Sequence, residues 1–216
     1  MRVLRTFAVL CFSLVSLAGQ AADSALITAL KGKVQRNDGT ASGAVEAFAK
    51  LRKGDVLTLA KGAQVQIVYF DNGRQEQWSG QGKVEVGDQE SLTQGLGVPE
   101  VKQLPLVMVK QLARTPSLDS QGRAGALRLR SVPTPESIAK IEETYRKLRS
   151  ESAPGDKNPE LYLLSGMFEM RELARVEQIL VNLKKTHPGD MEVKFLASLY
   201  GKAIKDVRQA EAATTE

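Results

Sequence analysis

The feature that most constrains the fold of this chain is a change in hydrophobic period near residue 134. Before it, Val65, Ile67 and Tyr69 occupy every second position, which is the period of a strand with one buried face. After it, apolar residues recur at intervals of three and four, which is typical of an amphipathic helix: Ile138, Ile141, Tyr145 and Leu148. The sequence therefore predicts an α+β protein, with a small all-β domain followed by an all-α module of antiparallel helical hairpins.

Glycines divide the β part into short segments between Leu26 and Ser91, which favours short strands joined by tight turns. Asp71-Asn72-Gly73 follows the alternating run directly. Asn-Gly is a strong hairpin signal because both central turn positions tolerate a positive φ. A return strand is expected through Gln75, Gln77 and Trp78, within a β domain at residues 25–94.

The rest of the chain divides into three ranges. Prolines are spaced through residues 95–132, which we interpret as a connector that packs in part on a neighbouring domain. Thr134-Pro135-Glu136 is typical of a helix start, and helical hairpins are predicted over residues 133–207. Short loops between four predicted helices imply antiparallel neighbours. A flexible polar tail is expected at 208–216.

The first 21 residues predict the compartment. Arg2 and Arg5 precede an apolar run at residues 7–18 that ends in small residues, the pattern of a secretory signal peptide cleaved after about Ala21. The run is shorter than the ~20 residues of a membrane-spanning helix. Lipidation of Cys11 is the alternative, but the bulky Leu10 precedes that cysteine. The expected location is the periplasm of a Gram-negative envelope.

Charge limits the classes of partner. The chain carries 30 basic and 25 acidic residues, and removal of Arg2 and Arg5 with the signal would leave 28 basic residues. So small an excess gives no strong attraction to nucleic acid. No later apolar run reaches the length of a membrane span, so no direct membrane insertion is expected after cleavage. The predicted partners are envelope proteins, with cell-wall glycan as the alternative.

The β part resembles the FecR family. The residues that carry the resemblance occur in order over residues 25–91: Gly32-Lys33-Val34, then Leu51-Arg52-Lys53-Gly54-Asp55, then an alternating strand at 63–70, then Asp71-Asn72-Gly73. The resemblance implies a β-rich binding or signalling domain on the periplasmic side, without catalytic chemistry. The regulators of that family carry a cytoplasmic segment and a membrane helix before this domain, so sigma-factor regulation is not carried over to this chain.

The helical part resembles a degenerate array of tetratricopeptide repeats. Leu180, Leu183 and Pro188 close one helix, and Leu196 and Tyr200 lie in the next. The spacing matches only in part, because the small residue expected near the middle of the hairpin falls between Ala174 and Val176. The resemblance implies stacked hairpins that present a concave face to protein partners.

Few residues suggest catalysis, and no catalytic, cofactor-binding or metal-binding residue is predicted. The single histidine, His187, precedes Pro188 at a helix end, where it is expected to cap the helix. Asp55 and Asp71 each adjoin a turn glycine, so their carboxylates are expected to bind local backbone amides. Asp71, Asn72, Glu76 and Asp88 lack the spacing of a calcium loop.

Six residues are candidates for partner binding. In the β domain, Trp78 and Tyr69 could form an aromatic platform for a glycan or peptide, although a single tryptophan in such a domain more often lies in the core. In the helical module the candidates are Tyr162, Met167, Phe168 and Met170. Core packing is the alternative interpretation for these four as well.

Three functions remain open from the sequence. The first is a non-catalytic periplasmic adaptor, in which the β domain engages an envelope or signalling partner and the hairpins give a second protein-binding surface. The alternative is a module that binds peptidoglycan or polysaccharide. The third is an enzyme in which a pocket joins several of Asp55, Asp71, Glu85 and Asp88.

Overall fold

The computed structural model describes residues 22–117 and 134–214, and it has the predicted α+β class. The strands are β1 (Asp23–Lys31), β2 (Val34–Asn37), β3 (Ser42–Ala44), β4 (Lys50–Arg52), β5 (Val56–Leu59), β6 (Gln64–Tyr69), β7 (Arg74–Ser79), β8 (Gly82–Val86), β9 (Ser91–Gln94) and β10 (Glu100–Gln103). The helices are α1 (Leu106–Leu112), α2 (Pro135–Glu151), α3 (Asn158–Glu169), α4 (Leu173–Thr186) and α5 (Met191–Thr214).

The strands form two antiparallel sheets. Sheet A has the order β10-β7-β6-β1-β4, and sheet B has the order β3-β2-β5-β8-β9. The alternating residues of β6 bury Val65, Ile67 and Tyr69 in a core that includes residues of both sheets. The hydrophobic period of two therefore positions the sandwich core as the sequence predicts.

The predicted hairpin joins β6 to β7. Gly73 adopts a φ of +74° in this turn, a conformation that other residues rarely adopt. A Cβ at this position would lie 2.8 Å from the backbone oxygen of Leu104. Glycine is therefore required at position 73 by both the turn and the segment that packs beside it.

The start of α2 is a capping box. The Thr134 side chain accepts a hydrogen bond from the Ser137 backbone N–H, and the Ser137 side chain accepts one from the Thr134 backbone N–H. The end of α4 also follows the prediction, because His187 is its C-cap residue. Helices α2 to α5 occupy the range in which four helices are predicted.

Helix α1 lies inside the range predicted as a connector. It buries Met108, Val109 and Leu112 in the same apolar cluster as the other helices. A chain of buried hydroxyls follows it: Thr115 Oγ1 lies 3.0 Å from Ser165 Oγ, which lies 2.7 Å from the Tyr200 hydroxyl. This end of the connector is therefore an integral part of the helical core.

Sheet A also packs against the helices with its second face. Leu26 and Val68 belong to the helical apolar cluster, and Asn158 Nδ2 of α3 donates to Gln75 Oε1 of β7 at 2.8 Å. An irregularity in β1 between Ile27 and Ala29 accompanies a bond from the Leu30 N–H to Glu192 Oε1 of α5, at 3.1 Å. The result is three layers: sheet B, sheet A and the helices.

The range 208–216, which the sequence predicts as a flexible tail, is helical as far as Thr214, where helix α5 ends. Arg208 in that range forms an ion pair with Glu177 of α4, with 2.9 Å between Nη1 and Oε1.

The signal segment and Cys11 lie outside the described residues. Among the helices that the structure describes, none has the length and apolar character needed to cross a membrane.

Candidate functional site

All six residues predicted to bind partners are buried, with exposed fractions of 7% or less. Trp78 and Tyr69 lie in the sandwich core, and Trp78 also lines a cavity of about 370 Å³ beside residues 96–99. Tyr162, Met167 and Phe168 belong to the helical core, where the Phe168 ring meets Tyr200 edge to face with the ring centres 5.7 Å apart. Of the four helical candidates, Met167 lines a groove that opens to solvent.

The carboxylates considered for catalysis have separate local partners. Asp55 is buried, accepts a bond from the Arg52 backbone N–H at 2.7 Å and pairs with Arg36 at 2.8 Å. This is the backbone role predicted for it. The prediction for Asp71 was wrong in its partner, because Asp71 accepts from the Gln89 side chain and it is Asn72 that accepts a local backbone N–H. Asp88 pairs with Lys53 on the surface.

Among the described residues, Glu76 in β7 is the most deeply buried carboxylate. From the sequence it was named only in a set of residues that lacks the spacing of a calcium loop. Its Oε1 accepts from Arg74 Nε at 2.7 Å and from the Ser91 backbone N–H at 3.3 Å. Its Oε2 accepts from Trp78 Nε1 at 3.0 Å. Ser91 belongs to β9, so this carboxylate joins the two sheets, and its bonding capacity is used by structural partners.

Tyr69 belongs to the same polar group. Its hydroxyl lies 2.7 Å from Ser91 Oγ. Burial raises the pKa of Tyr69 to about 12, although the hydrogen bond to Ser91 opposes that shift. The phenol therefore stays protonated well above the pH at which an exposed tyrosine ionises. The group stabilises the junction of the two sheets.

The described part of the helical module has a groove between α2 and α4, with α3 as its floor. Two adjoining cavities of about 460 Å³ each form it. Both are lined by Tyr145 of α2, Leu163 of α3, and Ile179 and Asn182 of α4, and Met167 lines one of them. We call this surface the α2–α4 groove. Its volume is in the range of pockets that hold small molecules or several side chains of a bound peptide.

Two ion pairs bound the groove. At one end, Glu142 of α2 and Arg175 of α4 meet across it, with 2.6 Å between Oε1 and Nη1. At the other end, Arg149 pairs with Glu160 at 3.0 Å and donates to the Ser152 carbonyl at 3.2 Å. Both acidic side chains are therefore neutralised by arginines. The Glu142–Arg175 pair links the two helices that form the walls, and the Arg149–Glu160 pair links α2 to the floor.

Charged side chains of both signs line the groove without an ion-pair partner among the described residues. Arg146 lines one cavity and is exposed, and Asp156 lines the other, where its Oδ1 accepts from the Asn158 backbone N–H at 2.9 Å. Tyr145 lies nearby with its hydroxyl 3.3 Å from Glu160 Oε1, and burial together with that carboxylate raises the pKa of the phenol. At the Arg146 end, the apolar floor and the unpaired cation suit an apolar segment that carries a carboxylate.

Metal-binding side chains do not cluster in the part of the chain that the structure describes. Within residues 22–117 and 134–214, no group of three or more histidine, cysteine, aspartate or glutamate side chains could hold a metal ion. His187 lies at the end of α4 with Nδ1 2.9 Å from Thr186 Oγ1, in one of the two cavities of the groove.

Comparison of the chain with protein-family models, with curated proteins and with solved structures found no match. The resemblances to the FecR family and to tetratricopeptide repeats therefore stay predictions. The candidate site is therefore identified from the geometry of this chain alone.

Sequence reasoning identified the floor of the groove in part and missed its walls. Met167 was singled out as a candidate, but Tyr145 was interpreted only as a position on the apolar face of its helix, and Ile179 was not singled out. Arg146, Gln178 and Asn182 carried no signal, because polar residues on a helix face are ordinary in any soluble protein. Helical-wheel positions of α2 and α4 show which residues share a face, but not that the two faces are separated by an open channel.

Proposed function

We propose that this protein is an exported, non-catalytic adaptor of the cell envelope that binds a partner protein in the α2–α4 groove. The observation that carries the proposal is the groove itself, whose two adjoining cavities have an apolar floor. Export is supported by the sequence pattern of the first 21 residues.

The chemistry of the groove defines the segment that it would bind. Leu163, Met167 and Ile179 offer apolar contacts, so the segment should carry apolar side chains that fill the two cavities. Arg146 has no ion-pair partner among the described residues, so a carboxylate on the segment would complement it. The charged rim would then select the partner and accelerate its association.

The rest of the molecule supports this function by holding the groove in shape. Gly166 lets α3 approach α2 closely, because a Cβ there would lie 2.8 Å from Ile141 Cγ2. Asn158 at the start of α3 is tied to Gln75 of sheet A. A groove that is already formed loses less conformational entropy when a partner binds.

Binding in the groove can be tested by blocking it. Asn182 lines both cavities, so Asn182→Trp in the full chain places an indole where the cavities adjoin. Arg146→Glu reverses the unpaired positive charge. Retention of proteins from a detergent extract of cell envelopes is compared with that of the unchanged protein. We expect each variant to retain its specific partner at least about tenfold less strongly, since lost apolar contacts and like charges each cost binding energy.

The matched control is Val181→Trp on the same helix. Val181 is 62% exposed and does not line either cavity, so the added indole should leave retention unchanged. Thermal melting of all three variants checks that they fold. Equal retention by the unchanged protein, Asn182→Trp and Val181→Trp would refute binding in the groove.

A further inference from the structure

A second surface lies at the edge of sheet A. Strand β10 pairs with β7 on one side and has no strand of the described residues on the other. All four residues of β10 are exposed, and Val98 just before it is 95% exposed. Unpaired edge strands invite pairing with another strand.

The register of β10 shows which backbone groups face outward. Leu104 N–H donates to Gly73 O at 2.9 Å, and β10 continues this register with Lys102 opposite Gln75 and Glu100 opposite Gln77. Hydrogen-bonded pairs alternate in an antiparallel ladder, so Lys102 and Glu100 direct their backbone groups toward β7. The N–H and C=O groups of Val101 and Gln103 therefore point to the open edge.

The side chains on this strand are complementary to those of an identical strand. If two β10 strands run antiparallel with Val101 on the two-fold axis, Glu100 lies opposite Lys102 of the second copy, and the same pair recurs on the other side. Val101 faces Val101 of the second copy as a hydrogen-bonded pair. The two charge pairs then fall at non-hydrogen-bonded positions, where opposite side chains are closest.

Pro99 fits the same arrangement. It lacks an N–H, and in this register its carbonyl needs only to accept from the Gln103 N–H of the second copy. Proline and lysine at sheet edges normally prevent pairing, but here the charges alternate in sign about Val101. In the single chain, Lys102 Nζ already lies 3.7 Å from Glu100 Oε1, so the two side chains lie on the same face of the strand.

We infer that two copies of this chain associate through antiparallel pairing of their β10 strands, which joins the two A sheets into one continuous sheet. The inference is independent of the groove, and either could hold without the other. A strand of four residues buries less surface than a standard protein interface, so the dimer should be weak and is best measured at about 100 μM protein.

Charge reversal tests this pairing. Mass in solution is measured by sedimentation equilibrium for the unchanged protein, for Glu100→Lys, for Lys102→Glu and for the double variant. Each single variant places like charges opposite each other in both pairs, so we expect its dimer dissociation constant to rise about tenfold or more. The double variant exchanges the two charges and should restore dimerisation.

Mixing gives a second and independent outcome. Glu100→Lys carries two positive side chains on β10 and Lys102→Glu carries two negative ones, so opposite charges face each other only when the two variants pair. An equimolar mixture should therefore form a heterodimer at a protein concentration at which neither variant forms a homodimer. Both positions are exposed, and unchanged thermal melting shows that folding is intact. A monomer in every sample, or a dimer whose strength ignores these charges, would overturn the inference.

Discussion

At the scale of single residues, buried polar side chains determine how the two sheets meet. Glu76 is fully buried and accepts bonds from Arg74, Trp78 and the backbone of Ser91. A strand position occupied by glutamate normally indicates the solvent face, so this role could not be predicted from the residue type. The donors come from β7 itself and from β9, and the pairing with β9 depends on the tertiary fold.

Glu76→Gln should destabilise the protein. The amide keeps the shape of the side chain but removes the charge that Arg74 binds, and its NH₂ group faces a donor wherever it points. We expect the free energy of unfolding to fall by about 3 kcal/mol, as when one partner of a buried ion pair is removed. Urea unfolding measures this change. Glu85→Gln on the exposed face of β8 is the control, and an equal loss in both variants would contradict the role of Glu76.

Tyr69 predicts a dependence of stability on alkaline pH. Its pKa is about 12 in the folded protein, against about 10 for an unfolded chain. Between these values the folded state holds a proton that the unfolded state has lost. Stability from this group is therefore complete below pH 10 and is lost as the pH rises through 12. The loss should be about 2 kcal/mol.

Urea unfolding at pH 9 and pH 12 tests this prediction with Tyr69→Phe as the comparison. The variant should lose less stability over that interval than the unchanged protein, since the shifted phenol is absent. Burial also raises the pKa of Tyr200, so part of the loss of stability at alkaline pH should remain in the variant. An identical loss in the two proteins would contradict the assignment to Tyr69.

At the scale of elements, local signals predicted what local interactions determine. The Asp71-Asn72-Gly73 turn and the Thr134 cap lie where the sequence places them, because each depends on residues a few positions apart. Helix α1 was missed as a helix, since its seven residues are too few to establish a period. Its apolar character was recognised, but its packing partner α3 lies far along the chain.

Helix α1 should therefore contribute to stability in the way a core element does. Leu112→Ala removes a side chain that is fully buried, and we expect the free energy of unfolding to fall by about 3 kcal/mol. Val107→Ala in the same helix removes a side chain that is half exposed and should change it by less than about 1 kcal/mol. Similar losses would show that α1 is not docked as described.

At the scale of the whole molecule, sheet A is shared by the β sandwich and the helices. The sequence predicted two parts with a partly packed connector, and Val68 in the alternating run gave the only hint of a second buried face. Gln75 and Asn158 bond to each other although both are buried polar residues far apart in the chain. Such pairings require the assembled fold, so helical and strand periods cannot reveal them.

The shared layer predicts a single unfolding transition. Trp78 is the only tryptophan and reports on the sandwich core, while circular dichroism at 222 nm reports mainly on the helices. The two signals should change at the same urea concentration, because the parts share apolar contacts and buried hydrogen bonds. Two separate midpoints would show that the sandwich and the helical module unfold independently.

The claim that this protein acts by binding a partner in the α2–α4 groove is tested most directly by cross-linking in living cells. A photoreactive amino acid is placed at Gln178 or Asn182, which line the groove, and at Val181 or Lys185, which lie elsewhere on α4. We predict that illumination joins the same envelope protein to both groove positions and to neither of the others. Cross-links that are absent from the groove positions, or equally strong at all four, would contradict the account.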